Sequence, residues 1–279
     1  MSEAKLIEAI ERRRDELLDD LRLHVETPTG PGGADAIERS REVITARLHA
    51  LGASSATTPG DPRPDWMGGN DRIPVSSITT CDGGAGPRVL IAGHLDTVHP
   101  ADGPFQKLEL RGDGTATGPG CVDMKGGLVI ALHALEALHE VGATVNWSYF
   151  LNADEETGTY HSDAALRKVS AEHDFGIALE PALAGGELAI ERAGSGQFMV
   201  EIDGRSSHVG RAFTDGISAV TKLGDVLVAC GKMPEPERGK IVNIGPISGG
   251  SATNAVPDHA QAWGNVRFPE PNVGEELGR

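Results

Sequence analysis

Three short apolar segments, each followed at once by polar residues, constrain the fold more than any other feature of the sequence. They are 88–93, 145–151 and 175–179. Runs of this length and composition are typical of buried strands. The segment 126–141 lies between the first two and carries its leucines at helical spacing. Strands that alternate with helices predict an α/β fold with a mostly parallel sheet, covered by helices on both faces.

Further helices are predicted on both sides of these strands. Apolar residues recur at helical spacing over 3–25 and again over 37–51, with proline and glycine between the two segments. Residues 52–73 are rich in Gly, Pro and Asp, which indicates a loop with a short edge strand. A last helix of this region is predicted over 161–173.

The pattern changes near residue 192. Residues 198–202 alternate between apolar and polar, 215–230 read as a helix, and strands are predicted over 241–247 and 259–268. This order is the start of a small antiparallel sheet with helices on one face. We therefore predict two domains, 1–192 and 193–279.

The overall composition excludes some partners. The chain has 25 basic and 41 acidic residues, a formal net charge of −16. Such an acidic surface repels phosphate backbones, so nucleic acid is not an expected partner. No apolar run approaches the ~20 residues that a membrane-spanning helix needs, so no membrane is expected either. The three cysteines form no CxxC pair, which suggests a reducing compartment and a cytoplasmic protein.

Polar, metal-capable residues follow each predicted strand. His94 and Asp96 follow the first, 154–156 (Asp-Glu-Glu) follow the second, and Glu180 follows the third. The glycine-rich segment 118–127 lies between the first two and contains a further aspartate. Because ligands collect beyond the carboxyl ends of strands in open α/β sheets, these groups predict a metal site. Zinc accepts such a mixed nitrogen and oxygen set, and so do cobalt and manganese.

Each of these patterns has an ordinary structural explanation. A lone histidine after a strand is usually a surface residue, a Glu-Glu pair is usually solvated, and a glycine-rich loop often only makes a turn or holds phosphate. The sequence contains neither GxxxxGK[ST] nor GxGxxG, which argues against phosphate binding. It also lacks HExxH and GxSxG, which argues against common single-zinc peptidases and serine hydrolases.

Six motifs in a fixed order resemble those of one enzyme family. They are GHLDTVHP, GPGCVDMKGG, NADEETG, the LEP at Glu180, GRSSHVGR and NAVPD. In this order they are similar to the dinuclear-zinc aminoacylase and carboxypeptidase family, which includes carboxypeptidase G-type glutamate carboxypeptidases, acetylornithine deacetylase and succinyl-diaminopimelate desuccinylase. The resemblance runs from about residue 15 to about residue 268. It implies a zinc exopeptidase-like fold with a smaller inserted α+β lid or dimerisation domain.

The same resemblance implies an activity and a set of metal ligands. The activity is zinc-dependent hydrolysis of the amide bond of N-acyl amino acids, or of the C-terminal residue of short peptides with a free carboxylate. Two zinc ions are implied per site. His94 and Glu180 bind the first ion, Glu156 binds the second, and Asp123 bridges both. A cis peptide bond is implied between Asp123 and Met124.

Roles for other residues follow from the resemblance as well. Glu155 is implied as the general base and Asp96 as the partner that orients the metal-binding histidine. His208 is implied as the oxyanion donor, and its counterparts reach across a dimer interface, so a homodimer is expected. Arg267 and Asn254 are implied to bind the substrate carboxylate. Without the resemblance, His208 would be an ordinary loop histidine and Arg267 a solvated strand residue.

The sequence departs from the family pattern at its C-terminal end. The family's second zinc takes its remaining ligand from a histidine in a later segment, and this chain ends at Arg279. We therefore expect a C-terminally truncated member, with both domains incomplete and only Asp123 and Glu156 for the second ion. The alternative function is that of a truncated, catalytically inactive homologue that acts as a dimerisation or binding protein.

Overall fold

The chain divides between Ala182 and Leu183 into two units, each with its own apolar core. The computed structural model describes residues 3–63 and 72–278. Residues 64–71 of the predicted loop lie outside this range, and the boundary predicted at residue 192 stays a prediction. Of the helices in the described ranges, none is long and apolar enough to span a bilayer.

The first unit is built on a five-stranded sheet with the order β1-β2-β6-β3-β7. The strands of this unit are β1 (Ser54–Thr58), β2 (Ser76–Cys81), β3 (Arg88–His94), β4 (Glu109–Leu110), β5 (Ala116–Thr117), β6 (Asn146–Asn152) and β7 (Phe175–Ala178). Strand β3 is parallel to both β6 and β7, whereas β2 is antiparallel to β1 and β6. The predicted α/β class is confirmed, with a mixed sheet whose parallel pairings all involve β3.

Five helices accompany this sheet. They are α1 (Glu3–Glu11), α2 (Arg14–Val25), α3 (Ala34–Ala50), α4 (Gly126–Glu140) and α5 (Asp163–Ser170). The single helix predicted over 3–25 is thus two helices, with a turn at Arg12 and Arg13. At this turn, Arg12 and Arg13 donate hydrogen bonds to Glu140, and Arg13 also donates one to Glu136. Contacts with α4 therefore accompany the break, which the amphipathic pattern does not reveal.

The helices cover both faces of the sheet, as predicted. On one face, Leu48 of α3 and Leu132 of α4 belong to the same buried cluster as Tyr149 of β6. On the other face, Phe150 of β6 lies in a buried cluster with Val169 of α5. Adjacent residues of β6 thus point into opposite cores, because successive side chains of a strand alternate between its faces.

A network of charged side chains joins α2, α3 and α4 at one end of the first core. The guanidinium of Arg47 donates two hydrogen bonds of 2.8 Å to Glu136 and also pairs with Asp20. His133 Nε2 lies 2.7 Å from the Asp20 carboxylate. These side chains are largely removed from water, so each charge depends on its partners.

Replacing Arg47 with methionine is expected to lower the free energy of unfolding by about 3 kcal/mol, because Glu136 and Asp20 then lose their counter-charge in a half-buried setting. Arg167→Met is the matched control. Its pair with Asp163 spans one turn of a helix surface, and such pairs contribute less than about 1 kcal/mol. Urea denaturation followed by circular dichroism measures both. Equal losses for the two variants would contradict the structural role of the network.

The second unit is a small antiparallel sheet with a helix on one face. Its strands are β8 (Gly194–Asp203), β9 (Ser207–His208), β10 (Ile241–Gly249), β11 (Ala255–Val256) and β12 (His259–Phe268), and its helices are α6 (Val209–Ala212), α7 (Ala219–Cys230) and α8 (Pro271–Leu277). The main sheet has the order β10-β12-β8, and β9 pairs separately with β11. Leu223 of α7 packs with Ala260 and Ala262 of β12. This is the arrangement predicted from the sequence.

Candidate metal centre

The parallel strands of the first unit deliver polar residues to one edge of the sheet. His94 is the last residue of β3 and pairs in register with Asn152, the last residue of β6. Strand β7 ends at Ala178, and Glu180 follows two residues later. Because β3, β6 and β7 run in the same direction, the groups that follow them meet beyond their carboxyl ends.

A tight loop before α4 brings Asp123 to the same edge, and two of its glycines are required by close packing. Gly120 has a φ of +66°, and a Cβ there would lie 2.6 Å from Cγ2 of Thr97. A Cβ on Gly127 would lie 2.1 Å from the carbonyl oxygen of Leu179. The peptide bond that follows Asp123 is cis, as predicted.

One histidine and four carboxylates converge at this edge. His94 Nε2 lies 3.1 Å from Oδ1 of Asp123 and 3.8 Å from Oε1 of Glu180. Two groups of ligand atoms lie within 4.8 Å of one another, one from His94, Asp123 and Glu156, the other from His94, Glu155 and Glu180. The structure therefore brings all four predicted metal ligands together, and it adds Glu155 to the same cluster.

The His94 ring is held by a residue two positions further along the chain. Its Nδ1 lies 2.9 Å from the backbone carbonyl oxygen of Asp96 and 3.4 Å from the Asp96 carboxylate. When Nδ1 carries the proton and donates it to this carbonyl, Nε2 presents its lone pair to the carboxylate cluster. The predicted link between Asp96 and the far nitrogen of His94 is thus present, with the main chain as the nearer acceptor.

The Asp96 carboxylate itself has a different set of partners. It accepts hydrogen bonds from the backbone N–H groups of Glu155, at 3.3 Å, and Glu156, at 2.9 Å. One residue after β3 thereby orients both the histidine and the turn after β6. The sequence pattern did not suggest this second function, because the bonds join positions about sixty residues apart.

Asp154 is a further residue whose function the sequence did not reveal. It is 2% exposed. Its carboxylate accepts hydrogen bonds from Ser162 Oγ at 2.6 Å and from the backbone N–H of His161 at 2.7 Å. These bonds close the loop that carries Glu155 and Glu156. A signal was available in the motif NADEETG, where Asp154 directly precedes the two glutamates.

The charges of the cluster perturb one another. Burial by itself would lower the pKa of His94, but the hydrogen bond and charge of Asp96 and the charges of Glu180 and Glu155 raise this pKa to about 9. Burial, and then repulsion from Asp123, raises the pKa values of Glu156 and Glu180. An excess of negative charge around one exposed ring nitrogen is the donor set that suits a divalent cation. These residues therefore fit zinc, and equally cobalt or manganese.

The raised pKa of His94 predicts that zinc binds more tightly as the pH rises. The ring must lose its proton before Nε2 can bind a metal ion, so each pH unit below about 9 costs roughly tenfold in apparent affinity from this one group. His24 adds nothing to this slope, because burial lowers its pKa to about 4 and keeps it neutral. Competition with a chelating dye between pH 6 and pH 9, starting from metal-free protein, measures the slope. An affinity that does not change with pH would contradict it.

The other three predicted site residues lie in the second unit. His208 ends β9, and its Nδ1 accepts a hydrogen bond from the backbone N–H of Gly210. Asn254 lies next to it, because its carbonyl oxygen accepts a hydrogen bond from the N–H of Val209. Arg267 lies on β12, where its Nε donates to the side chain of Asn265. The structure thus brings His208 and Asn254 together within their unit and places Arg267 on a different sheet.

An α/β unit with such a cluster beyond its parallel strands defines a protein with a candidate metal centre of the kind that hydrolases use. Comparison with known proteins agrees. Residues 190–277 match the family model of the M20 peptidase dimerisation domain. The chain is 27% identical over 269 residues to carboxypeptidase G2 of Pseudomonas sp. (strain RS-16), covering 94% of this chain and 62% of that protein.

Two further proteins show the same relationship. Succinyl-diaminopimelate desuccinylase of Rhizorhabdus wittichii is 29% identical over 269 residues, covering 90% of this chain and 66% of that enzyme. The chain thus spans less than two thirds of the length of both curated relatives. The crystal structure of aminopeptidase PepT from Bacillus cereus shares the fold, with a TM-score of 0.64, 24% identity and coverage of 94% of this chain and 68% of that one. The predicted resemblance to the aminoacylase and carboxypeptidase family is confirmed.

Proposed function

We propose that this chain carries the catalytic centre of a metal-dependent amide hydrolase. Its substrates are N-acyl amino acids or short peptides with a free C-terminal carboxylate, and the bond cleaved is the terminal amide. The observation that carries the proposal is the cluster of His94 with Asp123, Glu156 and Glu180, next to a further carboxylate at Glu155. The names of the curated relatives, a carboxypeptidase and a desuccinylase, support the same class of reaction.

The metal would be held by the residues at the sheet edge. His94 and Glu180 would bind one ion and Glu156 a second, with Asp123 between them. When bound, zinc polarises a carbonyl group and lowers the pKa of bound water toward about 7. Asp96 would keep the His94 ring in the orientation that leaves Nε2 for the metal.

The remaining residues supply proton transfer and substrate binding. Glu155 would accept a proton from the attacking water and pass it to the leaving nitrogen, since its carboxylate belongs to the cluster and its backbone is held by Asp96. His208 would donate a hydrogen bond to the oxyanion. Arg267 and Asn254 would bind the free carboxylate of the substrate, for which a guanidinium fork is well suited.

The second unit would also mediate a homodimer. The support is the match of residues 190–277 to a peptidase dimerisation domain. Sedimentation of the purified chain tests this association independently of catalysis, and a monomer at every accessible concentration would contradict it.

Elemental analysis and a substrate panel test the proposed function. After dialysis against zinc, we expect at least one zinc ion per chain and hydrolysis of N-acyl amino acids that a chelator abolishes. Zinc without hydrolysis of any N-acyl amino acid or dipeptide would reject the hydrolase function. That result would favour the alternative, an inactive homologue that acts as a dimerisation or binding protein.

A further inference from the structure

A cavity of about 610 Å³ lies in the first unit beside the candidate metal centre. Glu156 and Asp96 form part of its lining, so it adjoins the metal cluster. The rest of the lining includes Thr29, Ala34, Arg63 and Arg72, none of which the proposed function uses. The volume is within the usual range for small-molecule sites, which is roughly 300–1,000 Å³.

A buried hydroxyl in this lining has no partner. Thr29 is 1% exposed, and its Oγ1 forms no hydrogen bond with any described residue. A buried hydroxyl that is left unpaired costs about as much as a lost hydrogen bond, so such groups normally have a partner. In a cavity wall, the natural partner is an atom of a bound molecule.

The other donors of the lining favour an anion. Helix α3 begins in the lining at Ala34, and no side chain in the described ranges caps its first turn. The N-terminus of a helix carries partial positive charge and free N–H groups. Arg72 is tied to this turn, because its guanidinium pairs with Asp35 at 2.7 Å and with Glu38 at 3.5 Å.

The two carboxylates of the lining do not cancel this preference. The Asp96 carboxylate is already hydrogen-bonded by the N–H groups of Glu155 and Glu156. Glu156 belongs to the metal cluster. The lining therefore combines carboxylates that serve the metal centre with a hydroxyl, a helix N-terminus and two arginines that suit a negatively charged group.

We propose that this cavity binds the terminal carboxylate of a short dicarboxylic acyl group, whose amide carbonyl lies at the metal centre. The identity of the chain as the acyl part of a substrate rests on the proposed function. The carboxylate site itself rests only on Thr29, the first turn of α3 and the two arginines.

Titration of metal-free protein with monomethyl succinate, followed by ¹H–¹⁵N NMR, tests the carboxylate site without any turnover. We expect the backbone amides of residues 32–35 to shift and to saturate at millimolar concentrations, as for a ligand of this size. Dimethyl succinate, which has the same chain without a charge, is expected to leave them unchanged. Equal shifts with both esters would overturn the site.

Two variants and a control locate the site. Thr29→Val is expected to weaken binding by about tenfold, the effect of losing one hydrogen bond to a charged group. Thr45→Val is the matched control, since its hydroxyl also lacks a partner in the described structure and lies on α3 outside the cavity lining. Ala34→Asp suits the first turn of a helix and repels the ligand, so binding should be lost in a folded protein. Unchanged binding in both Thr29→Val and Ala34→Asp would overturn the proposal.

Kinetics of the zinc-loaded protein decide whether the cavity serves the acyl group. An N-succinyl amino acid is compared with its N-(4-methylpentanoyl) analogue, in which two methyl groups replace the carboxylate oxygens. We expect kcat/KM to favour the succinyl substrate by at least about tenfold, and Thr29→Val to remove this preference. Equal values for the two substrates would overturn the acyl assignment. Failure to hydrolyse either substrate would reject the proposed function, and the NMR titration would then decide the carboxylate site alone.

Discussion

Replacing Glu155 with glutamine is expected to lower kcat by about a thousandfold, within the range that a general base contributes. Glutamine has nearly the same shape, but its amide cannot accept a proton from water and pass it on. Zinc content is expected to stay unchanged, because His94, Asp123, Glu156 and Glu180 remain. Steady-state kinetics on an N-acyl amino acid and elemental analysis of the same sample measure the two quantities together.

The zinc measurement matters because the structure allows Glu155 a second function. Its carboxylate lies in one group with those of His94 and Glu180, close enough to act as a ligand. Loss of zinc in Glu155→Gln would identify Glu155 as a ligand and contradict its assignment as the base. Glu109→Gln, an exposed change on β4, is the control for removing one negative charge, and both kcat and zinc content should be unaffected.

Replacing His94 with alanine is expected to weaken zinc binding by about a hundredfold or more. Structural zinc sites gain roughly 10–16 kcal/mol from four ligands, so one ligand accounts for roughly 3 kcal/mol. The loss should be at the upper end, because His94 is the nitrogen donor common to both groups of ligand atoms. Competition with a chelating dye at a fixed pH measures the affinity.

Two further variants show whether this loss is specific. His24→Ala removes a histidine that is equally buried, at 2% exposure, but whose partner is Ser40. It should destabilise the fold without changing zinc affinity. Asp96→Asn should weaken zinc by about 10–100-fold, because it disturbs the residue that holds the His94 ring and the turn after β6. Equal zinc affinity in His94→Ala and His24→Ala would contradict the metal centre.

The sequence by itself determined the α/β class and the edge of the sheet at which the cluster lies. Short apolar segments ending in polar residues are sufficient for this, since parallel strands carry whatever follows them to one edge. The ligand types could be read from the same positions, and the resemblance to a known family supplied the cis bond after Asp123. All of these features are local, or follow from strand direction alone.

Only the tertiary structure decided how the cluster is held and what lies beside it. Asp96 joins the ends of β3 and β6, Arg13 joins the α1–α2 turn to α4, and Thr29 contributes an unpaired hydroxyl to a cavity shared with Glu156. Each of these features depends on residues far apart in the chain. Local propensity and periodicity carry no information about such pairs, because the partners meet only when the helices and strands pack together.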